Sequence, residues 1–180
     1  MRRFILTGTP GAGKTTILHA LKAHGHAVVE EAATDVNAWA LARGVTEPWM
    51  EAGFIDAIVD LQRRRQIEAS GDGVCLFDRS PVCTHALILF LGRPPSAALL
   101  AELERVRRAR IYETRVFFIE NLGFCEPTTV RRISFEDALK FEAVHEQSYR
   151  AFGYDLIRIA PARVEARVEE VLMALGSSSH

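Results

Sequence analysis

One stretch near the start of the chain, residues 8–15, places glycines, a lysine and a threonine at the spacing of a phosphate-binding loop. It matches the pattern G-x-x-x-x-G-K-[ST] at every fixed position. Glycines let the backbone curl so that successive N–H groups point into one hollow, and the start of the following helix adds positive dipole there. The pattern predicts that Lys14 reaches the β- and γ-phosphates of a bound nucleotide and that the Thr15 hydroxyl coordinates Mg²⁺.

The rest of this loop is expected to line the phosphates of the same nucleotide. The residues concerned are Gly8, Pro10, Gly11, Ala12, Gly13 and Thr16. The apolar run 4–6 before the loop suits a buried strand, and Ile17, Leu18 and Leu21 after it fall at helical spacing. This strand–loop–helix context favours a nucleotide site over the alternative, a glycine-rich turn without a ligand.

A carboxylate that could hold a metal follows the apolar run 74–77, which has the composition of a buried strand. Asp78 at the end of that strand can hold Mg²⁺, commonly through water, opposite Thr15. The alternative is that Asp78 caps the helix that follows. The presence of the phosphate loop favours the metal role.

Two glutamates and an arginine are candidates for acting on the phosphoryl acceptor. Glu30 and Glu31 end the second strand, and one of them would accept the proton of an acceptor hydroxyl, or orient that hydroxyl, beside the γ-phosphate. The alternative is a solvated acidic turn. Arg79 either holds a phosphate or hydroxyl of the substrate or pairs with one of the two glutamates.

A lid over the site is predicted at residues 121–134, an irregular stretch between a strand and a helix. Arg131 and Arg132 lie near its end. Phosphoryl transfer needs positive charge on the migrating group, and closing arginines can supply it. The alternative is a pair of surface arginines near the start of a helix.

Hydrophobic periodicity predicts the elements that must position these residues. Apolar runs typical of strands occur at 4–6, 27–29, 74–77, 116–119 and 154–159. Helices are predicted at 14–23, from Thr34 or Asp35 to Gly44, from Pro48 to about 69, at 84–91, through Leu103 and Val106, from Ser134 to about 148, and at 164–175. The alternation predicts an α/β, three-layer P-loop NTPase fold, in which a parallel sheet of about five strands has helices on both faces. Ligands of such sheets bind beyond the carboxyl ends of the strands, where the candidate residues fall.

The length, charge and cysteine content of the chain limit which binding partners and which cellular compartment we expect. The chain has 180 residues and a net charge of −1, so bulk charge predicts no attraction to nucleic acid or membrane. No apolar run approaches transmembrane length, the first residues lead directly into the first strand, and the 3 cysteines form no C-x-x-C pair. We therefore expect a cytoplasmic protein with reduced thiols, one domain over residues 1–176, and a disordered tail at 177–180.

Several further segments, taken together with the loop, resemble a known family. They are Glu31-Ala32-Ala33, Phe77-Asp78-Arg79-Ser80, the strand 116–119, the stretch 149–156 and the helix around 164–168. In this order the chain resembles, nearly from end to end, the AAA domain 28 or NadR-like family of small P-loop ATPase/kinase-like proteins. The resemblance implies an ATP-binding fold like that of the nucleoside and nucleoside-monophosphate kinases.

The resemblance also bears on individual residues. Deoxynucleoside kinases are similar in placing a glutamate after the second strand and an acidic-Arg-Ser triplet after the third, and Glu31, Asp78 and Arg79 match those positions. Two departures concern the substrate: Thr34 stands where the family often has an arginine, and residues 126–129 stand where it has an aspartate-containing lid. The resemblance therefore implies the fold more specifically than the acceptor.

The sequence leaves functions of different classes open. The first is a kinase that binds ATP and Mg²⁺ and transfers the γ-phosphoryl group to a nucleoside- or nucleotide-like acceptor. The second is a regulatory, nucleotide-dependent ATPase switch that acts through a protein partner, and the third is nucleotide binding without turnover. A GTPase is disfavoured because no N-K-x-D segment follows a late strand. Nucleotide turnover that rises with a small-molecule acceptor would single out the kinase.

Overall fold

The computed structural model describes residues 1–122 and 135–176, with the side chain of residue 135 excluded. A single sheet contains the strands β1 (Arg2–Thr7), β2 (Ala27–Val29), β3 (Val74–Asp78), β4 (Arg115–Ile119) and β5 (Asp155–Ile159). Their order is β2-β3-β1-β4-β5, and every neighbouring pair is parallel. The prediction of a five-stranded parallel sheet is confirmed.

Helices connect the strands, as parallel pairing requires. They are α1 (Lys14–Ala23), α2 (Ala32–Ala42), α3 (Phe54–Glu68), α4 (Pro81–Phe90), α5 (Ala97–Arg108), α6 (Phe135–Ala151) and α7 (Val164–Gly176), with a short 3₁₀ turn at Pro48–Met50.

The helices cover both faces of the sheet because alternate strand side chains point to opposite layers. Phe4 and Leu6 of β1 pack with α1 and α7, whereas Ile5 between them packs with the layer that contains α2 to α6. The centre of the sheet is shielded from solvent, since Phe4, Ile5 and Leu6 are fully buried. This is the three-layer arrangement that the sequence predicts.

Some helix starts differ from the predicted ones. The second helix begins at Ala32 rather than at Thr34 or Asp35, and its N-cap residue, Glu31, makes no side-chain capping bond. The segment from Pro48 does not open a long helix, because the backbone becomes extended at Glu51 and the next helix begins only at Phe54.

The start of α4 excludes the capping role considered for Asp78. Ser80 is the N-cap residue, and its hydroxyl accepts a hydrogen bond from the Val82 N–H at 3.3 Å. Pro81 occupies the first turn, where its missing N–H costs nothing. Because Ser80 and Pro81 start the helix, Asp78 remains at the end of β3.

Three predictions lie outside the described residues: most of the lid at 121–134, the helix start at Ser134, and the tail at 177–180. Within the described ranges, no helix combines the length and the apolar character needed to cross a bilayer.

Candidate functional site

The strand register brings the candidate residues to one edge of the sheet. Asp78 at the end of β3 pairs with Leu6 of β1, so it lies beside the start of the glycine-rich loop. Val29 at the end of β2 pairs with Phe77, which places Glu30 and Glu31 on the other side of the same strand end. The β2-β3-β1 order therefore joins residues that are far apart in the sequence.

The loop is shaped by close contact with its neighbours. Gly8 has φ +138°, and a Cβ added there would lie 2.2 Å from the carbonyl oxygen of Ile119, so only glycine fits against β4. Gly13 has φ +82° and is the N-cap residue of α1. Lys14 is 7% exposed, and its Nζ donates a hydrogen bond to the Thr9 carbonyl oxygen at 2.8 Å.

A cleft of about 520 Å³ opens in front of the loop. It is lined by Pro10, Gly11, Gly13, Lys14, Thr15, Thr16, Glu31, Thr34, Asp78 and Arg79. The predicted loop residues Gly8 and Ala12 are buried behind it and do not line it. The cleft is thus polar, carries both cations and carboxylates, and faces the N-terminus of α1, an arrangement that suits phosphate groups.

Asp78 and Thr15 have the surroundings expected for holding a hydrated cation. The Oδ1 atom of Asp78 is buried and accepts no hydrogen bond from any described residue, although Asp78 and Thr15 line the same cleft. Burial raises the pKa of the Asp78 carboxyl and the charge of Glu31 adds to this, while the ammonium of Lys14 opposes it. A buried carboxylate oxygen without a partner is stabilised by a metal ion, so these residues fit Mg²⁺.

For Arg79 the structure shows the pairing with a glutamate, while a contact with the substrate stays a prediction. Its guanidinium forms an ion pair with the Glu31 carboxylate, and Arg79 also lines the cleft. Its backbone is left-handed, with φ +70°, which is uncommon for a residue with a side chain. The Arg79 N–H donates to the Leu6 carbonyl oxygen at 3.0 Å, so β1 holds this turn in place.

The structure separates the two glutamates. Glu31 lines the cleft, whereas Glu30 is exposed and its carbonyl oxygen accepts a hydrogen bond from Arg65 at 2.9 Å. Burial opposes ionisation of Glu31, but the charges of Arg79 and Lys14, with hydrogen bonds from Thr34 and Arg79, outweigh it and lower the pKa of its carboxyl. Glu31 is therefore an ionised acceptor at neutral pH.

Lys14 is the buried cation of the cleft. Burial lowers the pKa of its ammonium to about 8, and the charge of Arg79 adds to this, while Asp78 and Glu31 oppose it. An ammonium with a depressed pKa gains from a nearby anion, because an opposite charge favours its protonated form. Binding of a polyphosphate would therefore stabilise the charged state of Lys14.

A second cavity of about 260 Å³ adjoins the cleft, on the side of α2, α3 and α6. Glu31 and Arg79 line both spaces. The second cavity adds the side-chain amides of Asn37 and Gln62 and the rings of Phe54 and Phe141. Thr84 donates to the Gln62 Oε1 at 3.1 Å, which fixes the amide of Gln62 at the wall of this cavity.

Sequence reasoning missed several residues of the site. Phe54, Phe141 and His145 are not among the predicted site residues. Phe54 and Phe141 line the second cavity, and the Nε2 atom of His145 lies 3.3 Å from Nη1 of Arg79. An apolar periodicity does not distinguish a core position from a pocket wall. Arg131 and Arg132, predicted to close over the cleft, lie outside the described residues.

Known proteins share the sequence pattern and the fold. A family model described as an AAA domain, AAA_28, matches residues 3–167. No curated protein matches the chain. Deoxyadenosine kinase from M. mycoides with bound dCTP is similar in structure, with a TM-score of 0.65 and 14% identity over 98% of this chain and 100% of that chain. Shikimate kinase from Aquifex aeolicus vf5 has a TM-score of 0.59 and 14% identity over 98% of each chain. Similarity at this identity concerns the fold.

Proposed function

The chain belongs to the AAA_28 family of AAA domains, and from its site we propose that it is a kinase. It binds Mg-ATP in the loop cleft and transfers the γ-phosphoryl group to a nucleoside- or nucleotide-like acceptor in the adjoining cavity. The observation that carries this proposal is that Glu31 and Arg79 line both the loop cleft and the second cavity. A switch that only hydrolyses nucleotide has no need of a second, organised cavity beside its phosphate loop.

The loop cleft supplies the donor half of the site. The backbone of the loop and the ammonium of Lys14 bind the phosphates. Thr15 and Asp78 hold Mg²⁺, and Asp78 does so commonly through water. The metal, when bound, neutralises charge that builds up on the phosphate oxygens. The Oδ1 atom of Asp78, which has no partner among the described residues, supports this assignment, because a water on the metal would donate a hydrogen bond to it.

Glu31 and Arg79 act on the acceptor. The ionised Glu31 accepts the hydrogen bond of the acceptor hydroxyl and fixes its direction. The acceptor oxygen bonds to the γ-phosphorus, the bond from that phosphorus to the bridging oxygen breaks, ADP leaves, and the hydroxyl proton passes to Glu31. Since the transition state of phosphoryl transfer is loose, the proton leaves late and a weakly basic carboxylate is sufficient.

The walls of the second cavity favour a nucleoside-like acceptor. Asn37 and Gln62 offer amides, which pair with the edges of bases, and Phe54 and Phe141 offer aromatic faces for stacking. A small polyhydroxy acid has no aromatic ring to pack against these two side chains. The similar structure from M. mycoides is that of a deoxyadenosine kinase, which agrees with this acceptor class. We further propose that Arg131 and Arg132 close on the migrating phosphoryl group.

The test is ADP formation from Mg-ATP against a panel of nucleosides, nucleoside monophosphates and nicotinamide riboside, with shikimate as an acceptor of another class. We expect an acceptor-dependent rise for one member of the nucleoside or nucleotide set, and its loss in Asp78→Ala. A slow rate that no acceptor changes would contradict the kinase and favour a regulatory ATPase switch. A rise with shikimate alone would contradict the acceptor class.

A further inference from the structure

Arg167 of α7 is the largest fully buried side chain among the described residues. Its Nη1 donates to the carbonyl oxygen of Ala12 at 2.8 Å, and its Nη2 donates to the carbonyl oxygen of Glu120 at 2.9 Å. One guanidinium thus joins the back of the phosphate loop to the chain that leaves β4.

The contact to Ala12 determines the direction of the next N–H. The chain contains no cis peptide bond within the described residues, so the carbonyl of Ala12 and the N–H of Gly13 point in opposite directions within one peptide plane. Because Arg167 holds the carbonyl, the Gly13 N–H is turned away from Arg167. Gly13 lines the cleft, whereas Arg167 does not and lies behind the loop. The Gly13 N–H, which points away from Arg167, is therefore turned away from the back of the loop.

This peptide plane would rotate easily without a restraint. Ala12 is flanked by glycines at positions 11 and 13, which have φ +87° and +82°, and glycine imposes little barrier on neighbouring peptide planes. A loop that binds phosphate must hold its N–H groups in place before the ligand arrives, since reorienting them would subtract from the binding free energy. A rigid two-pronged donor is well suited to this task.

Stability alone is a poor reason to bury a cation here. In the part of the chain that the structure describes, both partners of the Arg167 guanidinium are backbone carbonyls and neither is a carboxylate. Burial lowers the pKa of the guanidinium, with Glu120 and Glu170 opposing. Its Nε is buried without a partner in the described part of the chain. An apolar side chain of similar volume would fill the space without this desolvation cost.

We propose that Arg167 is a positioning residue, which locks the Ala12–Gly13 peptide so that the Gly13 N–H is presented to a nucleotide phosphate. This inference rests on the proposed binding of Mg-ATP. It does not depend on the identity of the acceptor or on whether the phosphoryl group is transferred to an acceptor or to water.

The experiment measures the Kd of Mg-ATP by titration calorimetry, without acceptor, for wild type, Arg167→Ala, Arg167→Lys and the matched control Arg163→Ala. Arg163 is exposed and lies one turn before Arg167, whose N–H donates to the Arg163 carbonyl oxygen at 3.2 Å. We expect Kd to rise about tenfold to a hundredfold in Arg167→Ala, less in Arg167→Lys, and not in Arg163→Ala. Guanidinium at millimolar concentration should restore part of the affinity of Arg167→Ala, and sodium at equal ionic strength should not.

Urea unfolding of each ligand-free variant separates positioning from a structural role. If the midpoint falls while the Kd of the folded Arg167→Ala protein is unchanged, the inference is wrong and the proposed function stands. If Arg167→Ala does not fold, Arg167→Lys decides by the same criterion. A wild-type protein that does not bind Mg-ATP would overturn both the inference and the proposed function.

Discussion

The Nε2 atom of His145 lies 3.3 Å from Nη1 of Arg79, while its Nδ1 lies 3.0 Å from the carbonyl oxygen of Phe141. Because a carbonyl oxygen only accepts hydrogen bonds, Nδ1 carries the proton and Nε2 accepts from the arginine. With Glu31 on another side of the guanidinium, two acceptors from different elements hold Arg79 at the junction of the cleft and the cavity. His145 is fully buried, so its ring has no freedom to leave this geometry.

This contact predicts a pH dependence of stability. Burial, aided by the charge of Arg79, lowers the pKa of His145 from 6.5 to about 3. Between these values the unfolded chain binds a proton that the folded protein does not, so the free energy of unfolding falls as the pH falls from 6.5 toward 3. In His145→Gln this slope should be smaller by about 1.4 kcal/mol per pH unit, the value for one proton.

Urea unfolding of wild type and His145→Gln between pH 4.5 and 7.5 measures the difference. His24→Gln, at an exposed histidine, serves as the control substitution. Parallel curves for wild type and His145→Gln would mean that His145 binds its proton equally well in the folded and the unfolded protein, and the assignment of Nε2 as an acceptor would be wrong.

A second prediction concerns the fit of the loop against β4. A Cβ at Gly8 would lie 2.2 Å from the Ile119 carbonyl oxygen, a backbone atom that cannot move without disturbing the sheet. Gly8→Ala should therefore lower the free energy of unfolding by about 3 kcal/mol or more. Gly25→Ala is the matched comparison, because Gly25 also has positive φ, +88°, but no atom within 4 Å, and should cost about 1 kcal/mol. Equal losses in urea unfolding would show that backbone strain, and not the contact, makes Gly8 necessary.

The parts of the site that the sequence predicted are those fixed by local pattern and by sheet geometry. The strand, loop and helix around Lys14 form from adjacent residues, and α1 has the predicted bounds, Lys14–Ala23. Asp78 and Glu31 could be placed together because parallel strands present their carboxyl ends at one edge. The family resemblance was likewise confirmed, since its motifs are contiguous segments of the matched range 3–167.

The parts that the sequence did not predict depend on how helices rotate against the sheet. Gln62 on α3 and His145 on α6 reach the site only because those helices pack with one particular face inward. Arg167 was recognised as part of a helix motif, but its target, the Ala12 carbonyl, is 155 residues away in the chain. The different positions of Glu30 and Glu31 relative to the cleft also needed the structure, since adjacent residues at a strand end point in different directions.

A third prediction separates stability from function at Asp78. Burial raises the pKa of this carboxyl, so its ionised form is disfavoured in the ligand-free protein. Asp78→Asn removes the charge and keeps the shape, so the free energy of unfolding at pH 7 should be unchanged or higher by about 1 kcal/mol. The affinity for ATP should lose its dependence on Mg²⁺, measured by titration with and without the metal. The exposed Asp72→Asn serves as control, and a variant that still responds to Mg²⁺ as wild type does would rule out Asp78 as a metal ligand.

The last prediction concerns Lys14, on which the phosphate-loop assignment depends. Its buried ammonium donates to the Thr9 carbonyl oxygen at 2.8 Å, next to the space where phosphates would lie. Lys14→Met keeps the length of the side chain and removes the charge, so Mg-ATP affinity should fall about a hundredfold and turnover should be abolished. Stability should change by only about 1 kcal/mol, because the lost hydrogen bond is offset by relief from burying a cation. Lys22→Met, on the exposed side of the same helix, should bind as wild type does. A folded Lys14→Met protein with wild-type affinity and turnover would show that the nucleotide does not bind at this loop.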